Sequence, residues 1–316
     1  MRFLASAILF LGLGLAWPAS GEEPPPHVPL PEIERSGTGP VTVLLIPCMS
    51  CRWRSWDTFL ERNQSAYTMY AITVPGFGGT PLPDLPRDTE GTPWRDNLLN
   101  GLSRLIVDEN LRDIVLIGHS WGTMVSVQLA ARLPARISSL ISVDGSITSP
   151  WVPDTRDERL AEARRTEEEW GTKLADAEEW RLFNGGGDTL APPEAPTMER
   201  QRSVLYHGMF MATDRTALLQ YWRENLLIDL SAELRALKLP ILDLRAIRGG
   251  DMEHQRKQHL EVMAAERSPS NVKTVFLYDT SHFVMEHRPE LFDRIVADFV
   301  AGREIQDFRP SDTPPN

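Results

Sequence analysis

Short apolar runs alternate with amphipathic segments along most of this chain. Four runs predict strands, namely 41–46, 68–74, 113–117 and 137–143, and the first and third are apolar enough to predict buried strands. The segments between them place apolar residues three and four positions apart, which predicts helices at 53–62, 94–110 and 123–133. Strands that alternate with helices favour a mostly parallel sheet with helices on both faces.

The alternation stops near residue 149 and resumes at residue 239. The later part predicts two strands, at 239–246 and 272–278, and two helices, at 251–265 and 289–301. The charged stretch in between predicts helices at 155–180, 199–211 and 214–228. We therefore predict one α/β core, formed by 40–148 and 239–303, with a helical cap at 149–238 inserted over the functional edge of the sheet.

The two ends of the chain are predicted to lie outside this core. The chain opens with a charged residue, an apolar run at 3–17 and small residues up to Gly21. This order predicts a signal peptide at 1–21 and export to the periplasm or the extracellular space, because the run is too short to span a membrane comfortably. We expect a proline-rich segment at 22–39 and a flexible tail at 304–316.

The bulk composition narrows the class of partner. A formal net charge of −11 over 316 residues argues against nucleic acid and against anionic membrane surfaces. With 41% hydrophobic residues the chain can bury a substantial core, and no later segment predicts a membrane span. We expect a small-molecule substrate, and the composition leaves the oligomeric state open.

A serine lies at the junction between one predicted strand and the helix that follows it. The pentapeptide Gly118-His-Ser120-Trp-Gly122 has the G-x-S-x-G pattern. A serine on such a turn has its hydroxyl exposed, and the two glycines leave the neighbouring backbone room. The pattern alone is weak evidence, but its strand–turn–helix context indicates that Ser120 is a catalytic nucleophile.

A serine hydroxyl needs a neighbouring general base, and His282 is the predicted one. It directly follows the last predicted strand, and the loops after parallel strands are where catalytic groups gather. His119 adjoins the serine, but we expect its side chain on the opposite side of the turn. His254 and His259 lack the H-E-x-x-H arrangement of a zinc helix, so we predict no metal site and no cofactor.

The acid that orients the base has two candidates, because two aspartates follow predicted strands. Asp251 follows the strand at 239–246, and the chain order Ser120, Asp251, His282 is the one expected for a nucleophile on this kind of turn. Asp144 ends the strand before the cap, so it also lies at a carboxyl end. We favour Asp251 and keep Asp144 as the alternative.

Taken together, these residues resemble the α/β-hydrolase fold family over about residues 40–301. Four stretches carry the resemblance in the family's order, at 74–80, 118–122, 239–251 and 281–289. The resemblance implies a serine hydrolase whose triad is Ser120, Asp251 and His282.

The resemblance also implies an oxyanion hole made by backbone N–H groups. Trp121 follows the serine, and Met49 stands after the position of the His-Gly pair that many capped members carry. This chain has Pro47-Cys48 instead, so a side chain stands where the family has glycine. We hypothesise that a Cys48–Cys51 disulfide holds this loop, and two unpaired thiols are the alternative.

The implied activity is hydrolysis of a small carboxylic ester through an acyl-enzyme intermediate. Phe210, Met211 and Trp222 in the cap are candidates for the substrate pocket, although such clusters more often pack a cap onto its core. Three alternatives stay open. They are an amidase or proline iminopeptidase-like peptidase on the same fold, a non-catalytic binding protein on a hydrolase scaffold, and a thiol-redox protein centred on the two cysteines.

Overall fold

The computed structural model describes residues 27–87, 89–145, 147, 155–176, 178–179, 197–247, 252–265 and 270–309. The predicted signal peptide at 1–21 and the candidate acid Asp251 lie outside these residues. Export and the role of Asp251 therefore stay predictions.

Seven strands of the described chain form one mixed sheet. They are β1 (Glu32–Ser36), β2 (Val41–Ile46), β3 (Tyr67–Thr73), β4 (Ile114–His119), β5 (Ile137–Val143), β6 (Ile241–Ile247) and β7 (Val272–Tyr278). Their order across the sheet is β1-β3-β2-β4-β5-β6-β7, and every neighbouring pair is parallel except β1 with β3. This arrangement confirms the predicted mostly parallel sheet.

Helices cover the sheet and form the described secondary structure of the insertion between β5 and β6. The first three are α1 (Asp57–Arg62), which continues a 3-10 turn at Trp53–Trp56, α2 (Pro93–Asp108) and α3 (Trp121–Arg132). The insertion holds α4 (Arg156–Ala175), α5 (Thr197–Met211), α6 (Arg215–Leu227) and α7 (Ser231–Ala236). The last three are α8 (Met252–Ala265), α9 (Val284–His287) and α10 (Pro289–Val300). The described part of the insertion is helical, as predicted for a cap.

The two faces of the sheet bury separate hydrophobic clusters. Successive residues of β2 point to opposite sides, so that Leu44 and Ile46 pack with α2 and α3. Val43 and Leu45 pack with α1 and α10 on the other face. All four side chains are fully buried. Burial on both faces explains why this strand is a continuous apolar run rather than an alternating one.

Helix α6 is held to the core through one buried carboxylate. Glu224 accepts hydrogen bonds from the backbone N–H groups of Trp94 at 3.0 Å and Arg95 at 2.7 Å, in the first turn of α2. First-turn N–H groups have no partner inside their own helix, and a negative charge there complements the helix dipole. Side-chain contacts therefore attach this part of the cap to the sheet's own helices.

Two segments that the sequence analysis placed outside the core pair with the sheet. Glu32–Ser36, inside the predicted proline-rich segment 22–39, forms β1 against β3. In the predicted flexible tail 304–316, Phe308 pairs with Leu277 of β7. Unpaired N–H and C=O groups at a sheet edge bind an extended segment through its backbone, whatever its side chains. Apolar periodicity is absent from such short polar segments, so the pattern missed them.

Candidate active site

Ser120 occupies a strained turn between β4 and α3. Its backbone has φ 53° and ψ −122°, which is uncommon for a residue with a side chain. The turn is held from both sides, because the N–H of Ser120 donates to the carbonyl oxygen of Val143 at 2.9 Å and its carbonyl oxygen accepts from the N–H of Thr123 at 3.0 Å. Strain that the surroundings maintain in this way is typical of functional residues.

Both glycines of the pentapeptide are required by close backbone contacts. A Cβ atom at Gly118 would lie 2.6 Å from the carbonyl oxygen of Gly122. A Cβ atom at Gly122 would lie 2.5 Å from the carbonyl oxygens of both Ile46 and Pro47, at the end of β2. The first turn of α3 therefore lies directly against the loop that carries Met49.

His282 lies in the loop after β7 and is hydrogen-bonded to Asp144. Its Nδ1 atom is 2.6 Å from Oδ2 of the aspartate. An ionised carboxylate can only accept, so Nδ1 carries the proton and the neutral ring keeps its lone pair on Nε2. That is the tautomer that a general base needs. The side chain of Asp144 is 9% exposed and that of His282 is 34% exposed, so the imidazole is the accessible end of the pair.

The backbone of the sheet orients Asp144 in turn. The residue follows β5 directly, with a φ of 44°. Its Oδ1 atom accepts from the N–H of Ala246 at 3.0 Å, and its own N–H donates to the carbonyl oxygen of Leu244 at 2.8 Å. Because β5 also pairs with β4, which ends next to Ser120, the aspartate and the serine stand at the same edge of the sheet.

The carboxylate beside His282 is thus Asp144, the alternative acid of the sequence analysis. Asp251, the favoured acid, lies outside the described residues. The contact spans the intervening strand β6, which lies between β5 and β7 in the sheet, and which aspartate acts as the acid stays a prediction.

His119 supports the backbone of the loop that carries His282, a contact that the sequence analysis did not anticipate. The side chain of His119 is fully buried. Its Nε2 atom lies 2.9 Å from the carbonyl oxygen of His282 and donates to it, because a carbonyl oxygen can only accept. The two imidazole rings have centroids 4.6 Å apart, and the ring of Phe283 lies 4.9 Å from that of His119.

The loop after β2 carries a disulfide and contacts the cap. Cys48 and Cys51 are bonded, with their Cα atoms 5.2 Å apart. The side chain of Met49, between them, packs against the core and also against an apolar cluster of Leu174 and Leu218, here called the cap cluster. Met49 therefore lies where the core meets the cap, and the oxyanion role of its N–H stays a prediction.

The three predicted pocket residues lie near these loops. Met211 packs against the cap cluster. Trp222 stacks on Trp170, which also packs against that cluster, with ring centroids 5.2 Å apart. Phe210 has its ring 6.4 Å from that of Phe283, the residue after the predicted base. Their role in binding substrate stays a prediction.

A buried arginine and a buried glutamate lie close to Trp121, the residue after the serine. The guanidinium carbon of Arg95 is 4.7 Å from the centroid of the Trp121 ring, and the ring of Tyr221 is 5.4 Å from it. Burial lowers the pKa of Arg95 to about 10, which the charge of Glu224 partly counters. Burial also raises the pKa of Glu224. The sequence analysis gave no role to Arg95 or Glu224, because nothing in their local pattern indicates that they meet.

Metal ligands and membrane spans were searched for across the described part of the chain. No three His, Cys, Asp or Glu side chains in it lie close enough together to hold a metal ion. None of its helices combines the length and the apolar character needed to cross a bilayer.

Comparison with known proteins points to one family. A model of the Alpha/beta hydrolase family matches residues 43–295. The chain is similar to the pimeloyl-[acyl-carrier protein] methyl ester esterase of Aeromonas salmonicida (strain A449), with 27% identity over 284 residues that cover 85% of this chain and 98% of that protein. It is also similar to epoxide hydrolase 3 of Siraitia grosvenorii, with 23% identity over 302 residues, or 84% of this chain and 92% of that protein.

Solved structures share the same fold. MenH from S. aureus superposes with a TM-score of 0.65 at 17% identity, covering 86% of this chain and 97% of that one. An esterase from Rhodococcus sp. ECU1013 gives a TM-score of 0.60 at 16% identity, covering 86% and 94%. Identities this low show the fold alone. The family match, by contrast, spans the serine, the histidine and both candidate acids.

Proposed function

Because this chain belongs to the alpha/beta hydrolase family, we propose that it is a serine hydrolase that cleaves a small carboxylic ester. One observation carries the proposal. The strained turn of Ser120 and the hydrogen-bonded pair of His282 and Asp144 stand at the same edge of the sheet, at the ends of β4 and β5. A nucleophile, a base and an acid that orients the base are the parts that this chemistry needs.

In the proposed mechanism, Nε2 of His282 removes the proton of Ser120 as the serine oxygen attacks the ester carbonyl. Asp144 holds the imidazole through Nδ1 and stabilises the imidazolium that forms. The N–H groups of Trp121 and Met49 bind the tetrahedral oxyanion, each lowering the barrier by about 3 kcal/mol. His282 then gives its proton to the leaving alcohol. Water hydrolyses the acyl-enzyme through the same two steps, with His282 again as the base.

Two considerations support an acyl substrate, and the first of them favours an ester over an amide. Methyl ester esterases of two Aeromonas species match this chain at 27% identity over 85% of its length. The cap also brings apolar side chains close to the predicted catalytic loops, through Met211 and Phe210, and apolar walls suit an acyl chain. An amidase or a proline iminopeptidase-like peptidase is the alternative on the same fold.

The test combines turnover with covalent labelling. We expect the purified protein to hydrolyse p-nitrophenyl acetate or butyrate, and Ser120→Ala to lower kcat by about 10⁴ or more. A fluorophosphonate probe should label the wild type, and peptide mapping should find the label on Ser120. Equal turnover by Ser120→Ala, or failure of the wild type both to label and to cleave any ester, would overturn the proposal. A preference for proline p-nitroanilide would support the peptidase.

We propose in addition that the protein is exported. Support comes from the apolar run at 3–17 and the small residues that follow it. Mass spectrometry of the protein from its native cells should find a mature chain that begins after Gly21. A full-length chain in the cytoplasmic fraction would contradict export.

A further inference from the structure

The loop after β2 is closed by a short covalent ring around Met49. Cys48 and Cys51, three positions apart, form its disulfide. The N–H of Cys51 also donates to the carbonyl oxygen of Cys48 at 3.1 Å, so a hydrogen bond closes the same turn. The two cysteines are 4% and 0% exposed, which keeps the bridge away from external thiols.

Contacts from outside hold both ends of this loop. On one side, the carbonyl oxygens of Ile46 and Pro47 pack against the first turn of α3, which is possible because Gly122 has no side chain. On the other side, the hydroxyl of Thr213 donates to the carbonyl oxygen of Ser50 at 3.1 Å and accepts from the N–H of Gly78 at 3.1 Å. The ends are fixed by these contacts, and the bridge acts on the residue between them.

The backbone inside the ring is unusual, so it needs a constraint. Ser50 has a φ of 64°, in the left-handed region that costs a residue with a side chain some free energy. An oxyanion donor must stay fixed, because its advantage over water is that it needs no reorganisation during the reaction. A ring that runs from Cys48 to Cys51 and encloses Met49 and Ser50 supplies that constraint.

We propose that the Cys48–Cys51 disulfide is a positioning element of the oxyanion hole, which fixes the N–H of Met49 relative to Ser120. This inference rests on the proposed hydrolase function. A disulfide constrains the unfolded chain more when it closes a longer loop, and this one closes a very short loop. Its effect should therefore appear in catalysis more than in global stability. Its burial also argues against the thiol-redox alternative.

The first experiment counts thiols in the unfolded protein without reductant. No titratable thiol is expected in the wild type, and two after reduction. Two thiols in protein purified from its native, oxidising compartment would overturn the proposal at once.

The second experiment compares the wild type with the double variant Cys48→Ser/Cys51→Ser on p-nitrophenyl acetate. We expect kcat to fall about tenfold to a hundredfold, with KM changed less than threefold, because the oxyanion forms only in the transition state. A trifluoromethyl ketone inhibitor, whose adduct with serine carries the oxyanion, should lose affinity by the same factor. The melting temperature should change by only a few degrees.

Thr213→Val is the matched comparison, since it removes a hydrogen bond to the same loop and leaves the bridge intact. It should lower kcat by less than the double variant does. A double variant with unchanged kcat and inhibitor affinity would overturn the proposal. So would a double variant that fails to fold, since the bridge would then act on global stability. Labelling of the wild type by the fluorophosphonate separates this failure from failure of the hydrolase function.

Discussion

The imidazole of His282 and the carboxylate of Asp144 meet through a hydrogen bond of 2.6 Å, although 138 positions separate them in the chain. The contact joins the loop after β7 to the end of β5, across the intervening strand β6. Both carboxylate oxygens of Asp144 are therefore hydrogen-bonded, because Oδ1 accepts from the N–H of Ala246. An acid fixed in this way holds the imidazole in one tautomer and one orientation.

Replacing Asp144 should lower the activity more than replacing Asp251, the other candidate acid. We expect Asp144→Asn to lower kcat by about 10⁴, because the amide favours the wrong imidazole tautomer. The matched variant Asp251→Asn should keep kcat within a few-fold of the wild type. Steady-state kinetics on p-nitrophenyl butyrate would check both. The reverse ranking would assign the acid role to Asp251.

Gly122 is crowded by the β2 loop and Gly171 is not, so replacing each of them with alanine should have opposite effects on stability. Gly122→Ala places a Cβ atom 2.5 Å from two carbonyl oxygens, so we expect a loss of about 1–3 kcal/mol in the free energy of unfolding and a large loss of activity. Gly171→Ala in α4 meets no atom within 4 Å and should gain about 0.5–1 kcal/mol. Urea unfolding of both variants tests the pair. Similar stabilities would show that the loop can move away.

The attachment of α6 to α2 predicts a stability effect that is separate from catalysis. Glu224→Ala leaves two first-turn N–H groups without their acceptor and the charge of Arg95 without its counterpart. Each buried N–H group left without an acceptor costs about 1–3 kcal/mol, a loss that urea unfolding would measure. Glu168→Ala, on the exposed face of α4, is the control and should stay within about 0.5 kcal/mol. A small effect at Glu224 would mean that water replaces its oxygens.

The raised pKa of Asp57 predicts that the stability of the fold depends on pH. Burial raises the pKa of Asp57 from 3.8 to about 6, against the opposing charge of Arg54. The folded state then binds more protons than the unfolded state between these values, so the contribution of Asp57 is greatest below pH 3.8 and is lost as the pH rises to about 6. Relative to Asp57→Asn, the wild type should become less stable across this window. Urea unfolding at four or five pH values would measure the difference, and a constant difference would contradict the assignment.

The strands could be predicted wherever burial leaves a local mark. Strands β5 and β7 begin and end at the predicted residues 137–143 and 272–278, because each is rich in apolar and β-branched residues that are buried at its carboxyl end. Strand β1 and the segment around Phe308 could not be predicted this way. They are held by backbone hydrogen bonds at the sheet edges, and such bonds leave little trace in side-chain composition.

Around the candidate site, too, the sequence predicts some features and not others. The serine turn could be predicted because the glycines that it needs lie within two residues of it. The contact of His119 with His282 and the role of Glu224 at α2 could not, since each joins segments more than a hundred positions apart.

By itself, the sequence determined the order of strands and helices, the place of the insertion and the turn that exposes Ser120. These depend on hydrophobic periodicity and on glycines within a few residues, and both act locally. Only the tertiary structure decided which carboxylate meets His282, what pairs with the edges of the sheet and how the cap is anchored. Each of those contacts joins segments that are far apart in the chain, so no local pattern of residues records it.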